Sequence, residues 1–265
     1  MLKDITIGQY YPTDSIIHKL DPRTKMIGIL VFIVTIFLAD TFIQYGAIIL
    51  LTALVIWLSK VPFKFMIKGL KPVLFILIFA FIMNAFFTPG EELFRLGFIK
   101  MTKEGLILAI KMMLRLSLLI VGTSLLTLTS SPIRLTDALE SLFGPLKKIG
   151  FPAHELAMMM TIALRFIPTL LEETDKIMKA QKARGADFES GNILKRAKSL
   201  IPLLVPLFIA AFKRADELAY AMEARGYRGG DGRTKLHPLK YEKRDLIAFL
   251  LLILFVAGIL FIGRF

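Results

Sequence analysis

Apolar residues are collected into long runs that are separated by short polar segments. Five runs are long enough to draw attention: residues 26–39, 42–58, 72–87, 105–128 and 246–262. One helix through the first two runs would be about 50 Å long at 1.5 Å per residue, too long for a hydrocarbon core of ~30 Å. The break at Asp40 is therefore expected to be a turn between two spans. The pattern predicts an all-α, polytopic membrane protein with about five transmembrane helices.

The polar connections predict how these spans are oriented. Arg23 and Lys25 precede the first span, and residues 60–71 contain four lysines and no acid. Lysine and arginine collect on the cytoplasmic side of membrane proteins, so both segments are expected there, together with the N-terminus. Lys64 and Lys68 are four residues apart and would form one basic edge on an interfacial helix. The nearly neutral connection at 88–104 is expected outside.

The region 131–240 has a different composition from the flanking regions 1–130 and 241–265, which hold about four spans and the last transmembrane helix. Its two apolar stretches, 156–171 and 200–212, contain prolines and are shorter than the ~20 residues a comfortable span needs. If both crossed the bilayer, the basic segment between them would lie outside, against the positive-inside rule. We expect long helices that start in or under the bilayer and run along the cytoplasmic face. Whether the two stretches enter the bilayer stays open.

A short pattern occurs twice in this region. Residues 175–185 read D-K-I-M-K-A-Q-K-A-R-G, and 41 residues later residues 216–226 read D-E-L-A-Y-A-M-E-A-R-G. Both are rich in good helix formers, so each copy is predicted to be the last three turns of a helix. Gly185 and Gly226 are predicted to end these helices, because glycine enters the left-handed C-cap conformation without a steric penalty.

The arginine before each glycine admits two interpretations. A cation near a helix C-terminus can stabilise the helix dipole by roughly 0.3–1 kcal/mol. That role does not require the alanine before it, the glycine after it, or the aspartate nine residues upstream, which both copies share. A guanidinium binds carboxylates through a rigid planar fork. Arg184 and Arg225 are therefore predicted to dock into acidic sockets on a partner.

Composition supports a membrane protein and excludes several other classes. Hydrophobic residues make up 55% of the chain, above the usual 45–50% of soluble domains. The net charge of +13 fits cytoplasmic loops, so no nucleic acid is expected as a partner. Cysteine is absent, which excludes disulfides and thiolate metal sites. Residues 1–14 lack an apolar core, so no cleavable signal peptide is expected.

No catalytic or metal-binding constellation is predicted. His18, His154 and His237 are far apart, and the His154-Glu155 pair lacks the second histidine of a zincin. No nucleophile and base stand together, so the chain is not expected to be an enzyme or to hold a cofactor. Lys111 and Arg115 lie within the fourth apolar run. They either face protein or extend toward a membrane surface, and the sequence does not decide between these.

These features together resemble the transmembrane (T) components of energy-coupling factor transporters, the family of EcfT and CbiQ. The resemblance covers essentially the whole chain. It rests on the N-terminal run His-Lys-Leu-Asp-Pro-Arg-Thr-Lys at 18–25, on the spans, and above all on the paired Ala-Arg-Gly triplets. It implies a multi-pass protein of the cell membrane, in contact with membrane lipid, whose long coupling helices lie in the cytoplasm.

The resemblance also implies partners and a role. Two ATPase subunits like those of ABC transporters (EcfA and EcfA′) would bind the ATP and receive the coupling helices. A small substrate-binding S component would topple in the bilayer and release a vitamin or metal ion. The residues implied in ATPase docking are Ala183, Arg184, Gly185, Ala224, Arg225 and Gly226. The proline-broken apolar segments would form the face for the S component.

Two other classes of function remain as alternatives. A stand-alone ABC-type permease subunit would also dock an ATPase, and it should show polar residues converging on a pathway through its own spans. Only Lys111 and Arg115 qualify. A membrane-embedded enzyme acting on lipid or prenyl substrates would need paired acidic motifs near the membrane surface, and the sequence shows no such pair.

Overall fold

The computed structural model describes residues 10–96, 99–188, 192, 194, 198–230, 236 and 238–263. These residues form two compact units. The terminal unit contains the described residues up to Ala138 together with those from Leu239 onward, and the central unit contains those from Leu139 to Pro238.

Helices make up most of both units. In chain order they are α1 (Pro22–Leu38), α2 (Phe42–Ser59), α3 (Phe63–Leu70), α4 (Leu74–Phe87), α5 (Lys103–Thr129), α6 (Pro132–Phe143), α7 (Ala153–Ala183), α8 (Ile201–Ala224) and α9 (Lys243–Ile262). Short 3-10 turns at Lys71–Val73 and Gly144–Ile149 follow α3 and α6. The all-α, polytopic prediction is confirmed.

Local signals in the sequence set where the first two helices begin. Asp21 is the N-cap of α1, its side chain accepts from the backbone N–H of Arg23, and Pro22 occupies the first helical position. Thr41 and Gln44 form a reciprocal capping box at the start of α2. The predicted turn at Asp40 thus separates two helices, because each has its own strong start signal.

The connection between α4 and α5 differs from the predicted loop. Strands β1 (Glu92–Leu96) and β2 (Ile99–Thr102) pair antiparallel, with Leu96 opposite Ile99. The segment is too short for another helical span, and the hairpin instead satisfies the backbone N–H and C=O groups between the two long helices.

In the described part of the chain, five helical segments are long and apolar enough to cross a membrane. They are Phe42–Ser59, Phe63–Phe87, Lys103–Thr129, Ala153–Ala183 and Lys243–Ile262. The count agrees with the predicted five, but the membership differs. The predicted first span, α1, has only 17 residues, at the lower limit for crossing. Helix α7, predicted as a coupling helix, qualifies by length and composition.

The core of the terminal unit lies where α1, α2, α5 and α9 meet. Ile36, Tyr45, Ile48 and Ile259 are almost fully buried there. Many other large apolar side chains are exposed, such as Phe75 on α4, which is 78% exposed. An apolar surface of this extent fits lipid contact, so the fold agrees with a multi-pass membrane protein.

Candidate partner-docking site at two helix ends

The two Ala-Arg-Gly triplets have the same backbone geometry. Helix α7 ends at Ala183, Arg184 is its C-cap, and Gly185 has a φ of 86°. The N–H of Gly185 donates to the C=O of Lys182 (3.0 Å), and the N–H of Ala186 donates to the C=O of Gln181 (2.9 Å). These two bonds define a Schellman motif, which satisfies carbonyls that a helix end leaves open.

Helix α8 ends in the same way. Arg225 is the C-cap after Ala224, and Gly226 has a φ of 70°. The N–H of Gly226 donates to the C=O of Glu223 (2.8 Å), and that of Tyr227 donates to the C=O of Met222 (3.0 Å). The prediction that each glycine ends a helix in the left-handed conformation is confirmed at both copies.

Both triplets are exposed to their surroundings. All six residues of the two triplets are in the exposed class, and a Cβ added to Gly185 or Gly226 would meet no other atom within 4 Å. Within the described residues, neither Arg184 nor Arg225 is paired with an acidic side chain. Two guanidiniums at rigid helix ends are therefore available to a partner, and the docking role itself stays a prediction.

Helices α7 and α8 pack side by side in opposite directions. Gln181, near the end of α7, donates from Nε2 to the C=O of Pro202, near the start of α8 (3.5 Å). Ile162 lines a groove of about 350 Å³ together with Met222, near the end of α8. Ile162 and Gln181 are 19 residues apart, or roughly 28 Å of helix. The two triplets consequently lie at opposite ends of the pair.

An ion pair lies near the middle of the antiparallel pair of helices α7 and α8. Nη2 of Arg214 lies 2.6 Å from Oε2 of Glu173, and both side chains are about one-third exposed. Glu173 and Arg214 are 41 residues apart, the same interval that separates the two motif copies. Equivalent positions, each two residues before its copy, therefore contact each other, which places an approximate twofold axis beside this pair.

The first half of α8 carries an exposed apolar stripe. Its members recur at helical spacing and are about half exposed or more: Ile201, Leu204, Val205, Phe208, Ile209 and Phe212. Pro206 lies inside α8 and Pro168 inside α7, and both helices continue past their prolines. The stripe lies in one of the segments predicted to face the S component, and that role stays a prediction.

The N-terminal run builds a polar junction in the terminal unit. Asp245, at the start of α9, is 2% exposed. Its Oδ1 accepts from the backbone N–H of Asp21 (2.8 Å), and its Oδ2 accepts from that of Glu242 (2.9 Å). Arg23 pairs with Asp21 at 2.9 Å and stacks over the ring of Tyr241 at 3.9 Å. The starts of α1 and α9 are thereby joined.

The same junction extends to the end of α5. The ammonium of Lys25 donates to the C=O of Thr129 (2.8 Å) and approaches Oγ of Ser130 (3.3 Å). Nε2 of His18 lies 3.0 Å from the C=O of Tyr11, and its Nδ1 lies 2.7 Å from Oγ of Ser15. A carbonyl can only accept, so Nε2 carries the proton and the ring can be neutral. Burial of the ring lowers the pKa of His18.

Sequence reasoning identified the N-terminal run but missed its partner Asp245. An acid in the first turn of an apolar span, directly after Lys243 and Arg244, was the available signal. It was unremarkable in isolation, since acids are common in the first turn of any helix. Its role depends on a contact with Asp21, 224 residues earlier in the chain.

The two cations inside α5 have different surroundings. Arg115 donates from Nη2 to the C=O of Ala39 (3.2 Å), the residue after α1, and from Nε to the hydroxyl of Tyr45 (3.2 Å). Lys111 lies 5.8 Å from the ring centre of Phe42. Arg115 therefore faces protein and satisfies a carbonyl at the end of α1.

The histidines do not assemble into a metal site in the described part of the chain. His18 bonds within the N-terminal junction, and Nδ1 of His154 lies 2.8 Å from Oε1 of Glu140. His237 lies outside the described residues. No group of three or more potential ligands of the kind His, Cys, Asp or Glu was found among the residues described.

Comparisons with known proteins agree on one family. The CbiQ family, described as cobalt transport protein, matches residues 13–236. A protein of Clostridium kluyveri called energy-coupling factor transporter transmembrane protein EcfT is 59% identical over 94% of this chain and 93% of its own length. Proteins of the same name from Acidaminococcus fermentans (57% identical; 97% and 96% covered) and Bacillus subtilis (51%; 99% and 99%) are also similar.

Proposed function

Because the chain belongs to the CbiQ family of energy-coupling factor transporter transmembrane proteins, we propose that it couples two ATPase subunits to a substrate-binding S component. The chain is a multi-pass membrane component of such a transporter. The proposal adds the direction of coupling. ATP-driven motion of the two ATPases would move α7 and α8, and these would move the S component that carries a vitamin or metal ion.

The observation that carries this proposal is the arrangement of the two triplets. Arg184 and Arg225 sit at identical helix ends, at opposite ends of an antiparallel pair. One socket could not receive both arginines, because roughly 28 Å of helix lie between the regions that hold them. Two separate sockets related by an approximate twofold axis are what a pair of similar ATPase subunits would offer.

The exposed stripe of α8 supports the second half of the proposal. Phe208 and Phe212 are 61% and 69% exposed. A large apolar surface marks a contact with lipid or with an apolar partner. It lies on the helix that ends in Arg225, so a displacement at the ATPase would be transmitted along one continuous helix. This supports an S component as the moving partner.

The stand-alone permease is less well supported. It requires polar side chains that converge on a pathway within the spans. The guanidinium of Arg115 is engaged with Ala39 and Tyr45 at the end of a helix. A guanidinium whose donors are bonded to a helix end and to a neighbouring hydroxyl contributes to the fold and is poorly placed to contact a passing substrate.

The test compares an arginine double variant with a matched control. Arg184→Ala with Arg225→Ala removes both forks, and Lys179→Ala with Lys213→Ala removes two exposed positive charges from the same helices. Truncating one partner of a buried charged pair typically costs ~2–5 kcal/mol. The tagged protein is extracted in mild detergent from its native membrane, and the proteins that co-purify are identified and quantified.

We expect the arginine double variant to lose the ATPase subunits and keep the small hydrophobic S component. Each single change should lose part of the ATPase, and the lysine control should keep it. Full ATPase recovery and normal uptake in the arginine double variant would refute the docking role. Recovery of the chain alone in every version would refute the coupling function as a whole.

A further inference from the structure

Lys60 has a backbone conformation that its residue type does not favour. It is the C-cap of α2, with φ 55° and ψ 19°. Among the described residues it is the only non-glycine with a positive φ, whereas the ends of α7 and α8 have glycine in the left-handed position. Lysine thus occupies a position where glycine would be free of strain, and residues held in such conformations cluster at functional sites.

Lys60 stands at the mouth of an apolar groove in the terminal unit. The groove has a volume of about 540 Å³ and runs between α2 and the start of α3. Its other lining residues are almost all apolar and include Ile56, Trp57 and Phe63. Trp57 is 75% exposed and Phe63 is 64% exposed, so the groove opens sideways, away from the protein core.

Three further lysines extend the charge from Lys60 along α3. Lys64, Lys68 and Lys71 follow at intervals of four, four and three residues, and the spacing of Lys64 and Lys68 places these two on one side of α3. All are exposed, and none has an acidic partner in the described parts of the chain. Helix α2 has 18 residues and is about 27 Å long, so the lysines stand at its end, at the depth of lipid headgroups.

We propose that this groove binds an anionic phospholipid. Its phosphate contacts Lys60 and Lys64, and one acyl chain lies along Ile56 and Trp57. The apolar walls match an acyl chain, and the unpaired ammonium groups match a headgroup with a net negative charge. The positive-inside rule accounts for lysines anywhere in this connection, but it does not account for a lysine held in the left-handed conformation at the mouth of a groove.

The chain carries its own probe for this site. Trp57 is the only tryptophan, and it lines the groove. The full-length chain is reconstituted in vesicles of dioleoylphosphatidylcholine that contain increasing fractions of brominated phosphatidylglycerol or brominated phosphatidylcholine. Bromine quenches tryptophan fluorescence on contact, so the titration gives the relative affinity of the groove for the two lipids.

Two variants separate the lipid site from a structural role. Lys60→Gly removes the ammonium and relieves the strained backbone, so its thermal stability should equal or exceed that of the wild type. Lys103→Gln makes the same change of charge at the first residue of α5, the opposite end of this 27-residue helix from the end that packs near α3. It serves as the control.

We expect wild-type Trp57 to prefer the anionic lipid about tenfold at low salt, and the preference to shrink in high salt. Lys60→Gly should reduce it about fivefold, and Lys103→Gln should leave it unchanged. Equal quenching by the two lipids, or an unchanged preference in Lys60→Gly, would overturn the proposal. The proposal would also be overturned if Lys60→Gly no longer co-purified with the ATPase or the S component while the quenching stayed unchanged, because the lysine would then serve a protein partner.

Discussion

Replacing Asp245 should destabilise the terminal unit more than any change to the neighbouring exposed residues. The carboxylate is 2% exposed and accepts two backbone N–H groups, from Asp21 at 2.8 Å and from Glu242 at 2.9 Å. Both donors stand at helix starts, where open N–H groups and the helix dipole favour a negative charge. Asp245→Ala removes the acceptor for both donors at once.

The magnitude follows from the two bonds. A hydrogen bond to a charged group contributes about 1.5–3 kcal/mol, so losing both should cost about 3–6 kcal/mol. Asp245→Asn keeps one oxygen but turns an NH₂ group toward the other donor, and it should cost roughly half as much. Glu242→Ala removes the other arm of this capping box from a side chain that is 57% exposed, and should cost about 1 kcal/mol.

The assay is the unfolding of purified protein in mild detergent, followed by circular dichroism against temperature. We expect Asp245→Ala to have the lowest unfolding midpoint, Asp245→Asn an intermediate one, and Glu242→Ala a midpoint close to that of the wild type. The ranking is the decisive quantity, because unfolding of a membrane protein need not be two-state. If Asp245→Ala unfolds at the same temperature as Glu242→Ala, the junction between α1 and α9 does not stabilise the fold as argued.

Three further sets of substitutions test other parts of the structure. Gly185→Ala and Gly226→Ala force alanine into φ values of 86° and 70°, so each should cost about 1–2 kcal/mol at its helix end. Amide hydrogen exchange of the residues after each triplet should become faster. Unchanged protection from exchange would contradict the expected strain. Arg115→Leu should lower the thermal midpoint by an amount equivalent to about 1–3 kcal/mol, because the carbonyl of Ala39 at the end of α1 loses its donor. The midpoint of Arg115→Lys should lie between those of the wild type and Arg115→Leu. Equal midpoints in all three proteins would count against this role of Arg115. Burial lowers the pKa of His18 below the 6.5 of an unfolded histidine, so the unfolded state takes up the proton more readily. The stabilising contribution of the neutral ring should be complete above pH 6.5 and should decline as the pH falls below 6.5. In a series of melting curves at different pH values, His18→Gln should remove this decline.

Features governed by neighbouring residues could be predicted from the sequence. The turn at Asp40 and the helix ends at Gly185 and Gly226 follow from capping chemistry that acts within a few residues. The apolar runs predicted α2, α4, α5 and α9, because each run fills most of one helix.

Features that depend on distant contacts could not be predicted. Asp245 bonds a backbone group 224 residues away, and Gln44 donates from Nε2 to the C=O of Ile259, 215 residues away. Neither partner can be identified from local pattern, since nothing in the flanking residues specifies it. The β1–β2 hairpin was missed because its pairing depends on backbone groups and has no strong alternation of apolar and polar residues.

The repeat explains why the two copies differ where they meet. Across an exact twofold axis, identical residues would face each other, and two like charges at that position would repel. Two residues before each copy, α7 has Glu173 and α8 has Arg214, whose charged atoms lie 2.6 Å apart. Three residues further on, the sign is again reversed, with Lys176 in one copy and Glu217 in the other.

The ends of the copies follow the opposite rule. There the last alanine, the arginine and the glycine are the same in both, and the two ends are far apart along the antiparallel pair. The sequence thus diverges at the contact between α7 and α8 and stays identical at the exposed ends. Helix capping alone does not require that identity, since other cations would serve the dipole equally well. Two like sockets on a pair of similar partners do require it, because each must receive the same planar fork.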